Sequence, residues 1–167
     1  HVNLFLTWGE VEGIVCSGID KGKKTTYALL DERVPPTREL CREEALARLA
    51  SRYFQSHSPA QLQDFVWWSG LTATECRLAI NLIKTELITE TFDSREYFIH
   101  QSWKGKNESK PVLRLLPAFD EYLISYKNRT DVLPLEHHPK AFNRFGTFYP
   151  VILYNGKIIG NWSRSIK

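Results

Sequence analysis

The chain has 167 residues, 43% hydrophobic and 25% charged, with a formal net charge of +3. That is the profile of an ordinary globular protein, which excludes a disordered or fibrous chain. No window approaches the roughly 18 continuous apolar residues of a membrane span, so no membrane association is expected. So small a net charge is a weak signal for nucleic acid, and local clusters carry more weight than the total.

The opening HVNLFLTWGEVEG has no basic n-region and carries two glutamates, unlike a signal peptide. The cytoplasm is the expected location. Cys16, Cys41 and Cys76 lie far apart with no CxxC pair, which points to reduced thiols rather than a zinc site. His137-His138 is the single histidine pair and reads as a solvated loop. Neither a metal nor any other cofactor is expected. The sequence holds no methionine and opens within a folded-looking pattern, so the expectation is a piece of a larger gene product, unless modified methionines are left out of the written sequence.

Residues 4–12 read as the end of a helix. Gly13 to Gly18 is a short strand, Asp20-Lys21-Gly22-Lys23-Lys24 a basic turn, and Thr25 to Leu30 a β-branched and aromatic return strand. A hairpin with a basic tip has the sequence form of a wing. Val34-Pro35-Pro36 breaks the chain and marks a linker.

Arg42 to Gln55 places Ala45, Leu46, Leu49, Ala50, Tyr53 and Phe54 on one helical stripe. Glu43 and Glu44 stand in the first turn, where the helix dipole favours them. Ser58-Pro59 reads as an N-cap with proline at the first helical position, which predicts a helix from Pro59 to about Trp68. Ser69-Gly70-Leu71 stops it. Thr72-Ala73-Thr74-Glu75 is a capping box. It opens a helix with Cys76, Ala79, Ile80 and Ile83 on one face and Glu75, Arg77, Asn81 and Lys84 on the other.

Two helices joined by so short a turn match a helix-turn-helix. Residues 87–91 and 96–100 form a hairpin around Phe92 to Arg95. Helix, helix, hairpin is the order of a winged helix. A second basic cluster, Lys104-Gly105-Lys106 with Lys110, follows.

From Pro111 the character changes. Val112 to Leu116 is a strand ending at Pro117, Phe119 to Tyr126 is aromatic and helical, and residues 132–146 are loop with a short helix. Tyr149 to Tyr154, Asn155-Gly156 and Lys157 to Trp162 make a hairpin on a type I′ turn. The fold class is therefore α+β. Residues 1–34 are the end of one winged helix, 35–110 a linker helix plus a near-complete winged helix, and 111–167 a small C-terminal α+β unit.

Two long segments resemble the AlkZ-like winged-helix DNA glycosylase family, which includes the YcaQ-like proteins. They are Asp64-Phe65-Val66-Trp67-Trp68-Ser69-Gly70-Leu71 and the run from Leu115-Leu116-Pro117 through Asp120-Glu121-Tyr122 to Lys127-Asn128-Arg129. The early Gly13 to Gly18 strand and the closing hairpin match in the same order. The resemblance implies tandem winged helices around a basic channel, a double-stranded DNA partner and hydrolysis of N-glycosidic bonds of alkylated or crosslinked bases. It also implies a glutamine–apolar–glutamine or glutamine–apolar–aspartate motif that places the attacking water. That motif belongs to the N-terminal part of the family's chains, before the point where His1 aligns. No catalytic residue is therefore expected here, and this portion is expected to be inactive alone. Gln61-Leu62-Gln63 has the motif's letters but the wrong position, and reads as two exposed polar residues around a buried leucine.

The residues expected to touch DNA phosphates are Lys23, Lys24 and Arg95 on the two hairpin tips, Thr72, Thr74, Arg77 and Lys84 on the capped helix, and Arg129. Such contacts supply affinity and salt dependence rather than sequence reading. Asp120 and Arg129 either pair with each other or line the channel. Trp67-Trp68 reads as packing. A monomer is expected. A non-catalytic winged-helix regulator or architectural protein, and a winged helix used for protein contacts, stay open beside the glycosylase reading.

Overall fold

The structure is a computed structural model, and it describes residues 2–105 and 110–165. Lys106, part of the second basic cluster, lies outside the described residues. The chain is α+β and divides into two compact units, His1–Leu40 and Cys41–Lys167.

In the first unit, helix α1 (Val2–Val11) leads into a two-stranded antiparallel sheet, β1 (Val15–Ser17) and β2 (Tyr27–Leu29). Lys21 and Lys24 bridge across the turn between them. A short helix α2 (Leu30–Arg33) follows where the sequence predicted strand and loop. Asp31 and Glu32 stand in its first turn, where its amide dipoles favour them.

The second unit begins with α3 (Arg42–His57), then α4 (Leu62–Ser69) and α5 (Ala73–Leu82). Of the stripe read from the sequence, Leu46, Ala50, Tyr53 and Phe54 of α3 are buried and pack with Phe65 of α4 and with Cys76 and Ala79 of α5, while Leu49 is half-buried and Ala45 is exposed. Tyr53 is the hub, edge-on to Phe54 and stacked on His57 at 4.7 Å. Gly70 ends α4 at φ 70°, a left-handed position that glycine adopts without steric cost. The capping box at Thr72 forms: its Oγ1 accepts from Glu75 N at 3.3 Å and its N–H donates to Glu75 Oε2 at 3.1 Å.

The start of α4 differs from the sequence reading. Ser58 does not cap it. Its hydroxyl turns back to the Phe54 carbonyl and accepts from His100 N at 2.8 Å. Ala60 exchanges both backbone hydrogen bonds with Phe98, so it extends the neighbouring sheet instead of opening a helix. The chain turns helical at Leu62, where the Asp64 carboxylate accepts the Gln61 N–H at 2.9 Å.

After α5 come β3 (Leu87–Phe92) and β4 (Arg95–His100), paired antiparallel from Leu87↔His100 to Phe92↔Arg95. Asp93 and Ser94 turn the hairpin at φ 46° and 60°, as a two-residue type I′ turn requires. Residues 113–161 build a second core. Strands β5 (Leu113–Leu116), β6 (Val151–Tyr154) and β7 (Lys157–Asn161) form one antiparallel sheet in that order. Helices α6 (Glu121–Ile124) and α7 (His138–Ala141) complete it. Leu123, Leu133, Ala141, Val151 and Ile158 are buried together. Asn155 and Gly156 sit at φ 47° and 80°, the turn the sequence predicted. Asn155 Oδ1 also accepts from Val112 N at 2.8 Å, which ties that turn to β5.

The two cores of this unit are joined by directed hydrogen bonds. Trp67 Nε1 donates to the Ile124 carbonyl at 2.9 Å, and the Tyr126 hydroxyl donates to the His57 carbonyl at 3.0 Å. The second oxygen of Asp64 accepts from Lys127 N at 2.9 Å.

Candidate nucleic-acid interface

Helix α5 is two-faced. Cys76 and Ala79 are fully buried, while Thr72, Thr74, Arg77, Asn81 and, just beyond its end, Lys84 are exposed. Among the described residues Arg77 and Lys84 make no ion pair. Both can therefore meet an incoming phosphate without first breaking a contact. The helix N-terminus presents the amides of Ala73 and Thr74, which have no intrahelical acceptor. Beside them stands the Glu75 carboxylate, whose pKa is lowered from 4.5 to about 2, first by the Thr72 hydroxyl and then by Arg42. Arg42, at the start of α3, pairs with it and partly neutralises a charge that would repel an anion. Thr72 is occupied as the cap, so its hydroxyl serves the helix before any ligand.

In the first unit, Lys23 and Lys24 are exposed at the turn between β1 and β2. The other hairpin has a different character. The β3–β4 segment carries Glu90, Asp93 and Glu96 against one arginine, Arg95. Arg95 is already engaged: its NH1 and NH2 reach the Asp131 carboxylate at 3.1 and 3.4 Å, a bond that raises its pKa.

Arg129 is turned inward. Its Nε donates to the Leu123 carbonyl and its guanidinium lies 5.6 Å from the Trp67 ring and 5.3 Å from each of the rings of Phe142 and Phe148. Burial pulls its pKa down. It does not pair with Asp120, whose Oδ1 instead caps α6 through Tyr122 N at 2.9 Å. Trp67 bonds the Ile124 carbonyl and Trp68 lies against Tyr53 at 5.0 Å, but both side chains stay partly open to solvent, 51% and 36% exposed.

A cleft of about 470 Å³ opens between the β3–β4 hairpin, the start of α4 and the chain around α6. Phe92, Tyr97, Tyr122 and Tyr126 line it, with Gln61 and Asn128 as its amides and Glu90 and Asp131 as carboxylates. Burial first, and then the nearby Asp64 carboxylate, push the Tyr126 hydroxyl up to about 12. Gln61, from the glutamine-leucine-glutamine stretch, faces this cleft and accepts from Gln63 Nε2 at 2.7 Å. Sequence reasoning quoted Asp64, Tyr122 and Tyr126 but gave them no task. Tyr122 lies in α6 and Tyr126 just beyond its end, so no helical periodicity pairs them in the sequence. Nothing local to Asp64 announces its bond to Lys127.

A family model that matches nearly the whole chain gives the class: the chain belongs to a family of DNA glycosylases. The family is the AlkZ-like DNA glycosylases, whose model matches residues 5–165. The chain is 25% identical over 170 residues to an interstrand DNA cross-link repair glycosylase of Streptomyces sahachiroi, covering 93% of this chain and 46% of that protein. It superposes on the solved Streptomyces sahachiroi DNA glycosylase AlkZ with a TM-score of 0.79 at 22% identity, over 97% of this chain and 48% of the other. The chain thus spans about half the length of the relatives it matches. Among the described residues no helix is long and apolar enough to cross a membrane, and no group of three or more histidine, cysteine and carboxylate side chains is placed to hold a metal ion.

Proposed function

We propose that this chain is the duplex-binding portion of a cytoplasmic DNA glycosylase acting on alkylated or crosslinked DNA, and that the catalytic glutamine motif lies outside it. In this reading residues 35–110 form a linker helix plus a winged-helix domain, with α5 as the helix laid toward the duplex. Residues 1–34 are the wing end of a preceding copy, and 111–167 are the α+β unit that braces the second one. A monomer suffices. The observation that carries the reading is the two-faced α5: one side is locked into the Tyr53 core, and the other offers Arg77 and Lys84 with no partner among the described residues.

Lys23, Lys24, Thr72, Thr74, Arg77 and Lys84 are the proposed phosphate contacts. Arg95 and Arg129 were candidates on sequence grounds. Each now has a partner inside the protein, so each reaches DNA only by giving that partner up. Four cations touching phosphates correspond to a slope of roughly −3.6 in log affinity against log salt.

The test is binding of this chain to random-sequence duplex across a salt series, with release of methylated bases from alkylated duplex measured beside it. A slope of that size without base release supports the reading. Absence of duplex binding at low salt by folded protein refutes it, and base release by this chain alone refutes the assignment of the chemistry elsewhere. The alternative is a non-catalytic winged-helix DNA-binding protein, regulator or architectural, and a regulator would bind one sequence far above random duplex. Arg77 and Asn81 are few base readers for that role.

A further inference from the structure

We propose that Ser102, His100 and Glu86 form a serine–histidine–carboxylate triad that makes the Ser102 hydroxyl a nucleophile toward small activated esters. The three side chains are linked in line. Ser102 Oγ lies 2.7 Å from His100 Nδ1, and His100 Nε2 lies 3.2 Å from Glu86 Oε2. The backbone N–H of Ser102 donates to the same Nδ1 at 3.1 Å. An N–H only donates, so Nδ1 carries a lone pair and the ring proton sits on Nε2, against the carboxylate. In that tautomer an imidazole can take a proton from serine while the carboxylate steadies the imidazolium that forms. Ser51 Oγ donates to the same Glu86 oxygen at 2.7 Å. The Ser51 bond first, and the His100 bond after it, hold the Glu86 carboxyl below the usual range, against an opposing push from partial burial. Glu86 is thus the charged acceptor that the arrangement needs.

Burial is graded along the triad. His100, the last residue of β4, is 7% exposed, and its backbone N–H is fixed by Ser58 Oγ at 2.8 Å. Ser102, two residues on, is exposed, as is Trp103 after it. An open hydroxyl without a deep pocket suits a small activated ester, such as an aryl acetate. In the first step Ser102 Oγ bonds to the carbonyl carbon and its proton passes to Nδ1. Protonated Nδ1 no longer accepts the Ser102 N–H, which is freed to bond the oxyanion. The bond to the aryl oxygen then breaks, and the departing phenolate takes the proton from Nδ1. Water repeats the sequence on the acetyl group. Its proton passes to Nδ1, the bond to Ser102 Oγ breaks, and Oγ takes that proton back. The products are phenol and acetic acid. None of the three residues is among the proposed phosphate contacts or lines the cleft, so this chemistry stands apart from duplex binding.

The experiment treats the whole chain with p-nitrophenyl acetate at neutral pH, follows release of p-nitrophenolate, and maps the acetyl group by peptide mass spectrometry. The expected result is acetyl on Ser102 and release at least roughly tenfold faster than from Ser102→Ala, the lower end of what a positioned general base supplies. Ser102→Ala removes one exposed hydroxyl, so it should melt and bind duplex as the wild-type chain does. Glu86→Gln keeps a neutral side chain beside Nε2. It should lower kcat several-fold with KM unchanged, a split that a merely structural role would not produce. The nitrogen chemical shifts of the His100 ring should place its proton on Nε2. Acetyl confined to amino groups, Ser102→Ala releasing at the wild-type rate, kcat unchanged in Glu86→Gln, or a ring proton on Nδ1 overturns the proposal. The mapped acetyl and the ring tautomer are read on the wild-type chain, so the proposal can fail even where a variant does not fold.

Discussion

The carboxylate of Asp64 accepts a hydrogen bond from the backbone N–H of Lys127 at 2.9 Å, across 63 positions of sequence. Its other oxygen accepts from Gln61 N at the same distance. One buried side chain thus starts helix α4 and fastens the first core of the larger unit to the segment after α6. The same segment supplies Tyr126, Asn128 and Arg129 to the cleft. Positioning of the cleft therefore depends on a charge-assisted bond to the main chain.

Asp64→Ala strands two buried N–H donors and deletes both bonds. The expected loss of unfolding free energy is about 2–4 kcal/mol, read from urea denaturation. Asp64→Asn should not rescue it, because an amide presents one acceptor and turns its N–H₂ toward the other donor. A midpoint within error of wild type for either variant would show that the bond carries no stability.

Glu75 gives the pH prediction. Its pKa falls from 4.5 to about 2 in the folded protein, through the Thr72 hydroxyl first and Arg42 second. A carboxylate with a depressed folded-state pKa stabilises the fold above its unfolded value and loses that contribution as pH drops through the folded one. The affected window is therefore pH 4.5 down to about 2. An NMR titration of the Glu75 side chain should show a midpoint near the bottom of that window. Thr72→Ala should move it toward 4.5 by more than Arg42→Ala does. A midpoint near 4.5 in the wild-type chain would mean that the capping box does not persist in solution.

Arg129 is a bolt between elements. Its guanidinium bonds the Leu123 carbonyl and packs against Trp67, Phe142 and Phe148. Arg129→Ala removes those contacts and leaves a buried carbonyl without its donor, for an expected cost of about 2–4 kcal/mol. Arg129→Lys should recover little, since an ammonium lacks the planar fork that bonds and stacks together. If Arg129→Ala melts like wild type but binds duplex weakly, the inward role assigned to it is wrong.

Several elements were legible because their signals are local. The Thr72–Glu75 capping box, the Gly70 stop and the Asn155-Gly156 turn each sit within a few residues and form as read, and so does the stripe of α3 apart from the exposed Ala45. The errors came from distance. Ser58-Pro59 looks like a helix start, but Ala60 is claimed by Phe98, a strand residue 38 positions later. Other partners were hidden by the same distance: Arg95 bonds Asp131, and Arg129, which the sequence left either paired with Asp120 or lining the channel, bonds the Leu123 carbonyl. The cleft is harder still, because its aromatic residues come from a hairpin and from α6 with the segment after it, which are separate in the chain. The acidic character of β3–β4 is local and legible in the sequence, in Glu90, Asp93 and Glu96 against one arginine.

The partners of the cations divide the candidate DNA contacts into two groups with different salt behaviour. Arg77→Ala and Lys84→Ala each remove an exposed charge with no ion-pair partner among the described residues. Each should weaken duplex binding and lower the salt slope by about 0.9. Arg95→Ala breaks an ion pair with Asp131 and releases a carboxylate. It should therefore leave the slope unchanged while exposing another negative charge at the cleft. Fluorescence anisotropy with one labelled random duplex, run on all three variants over a series of salt concentrations, decides the matter. A slope lost at Arg95 and kept at Arg77 and Lys84 would move the interface from α5 to the hairpin.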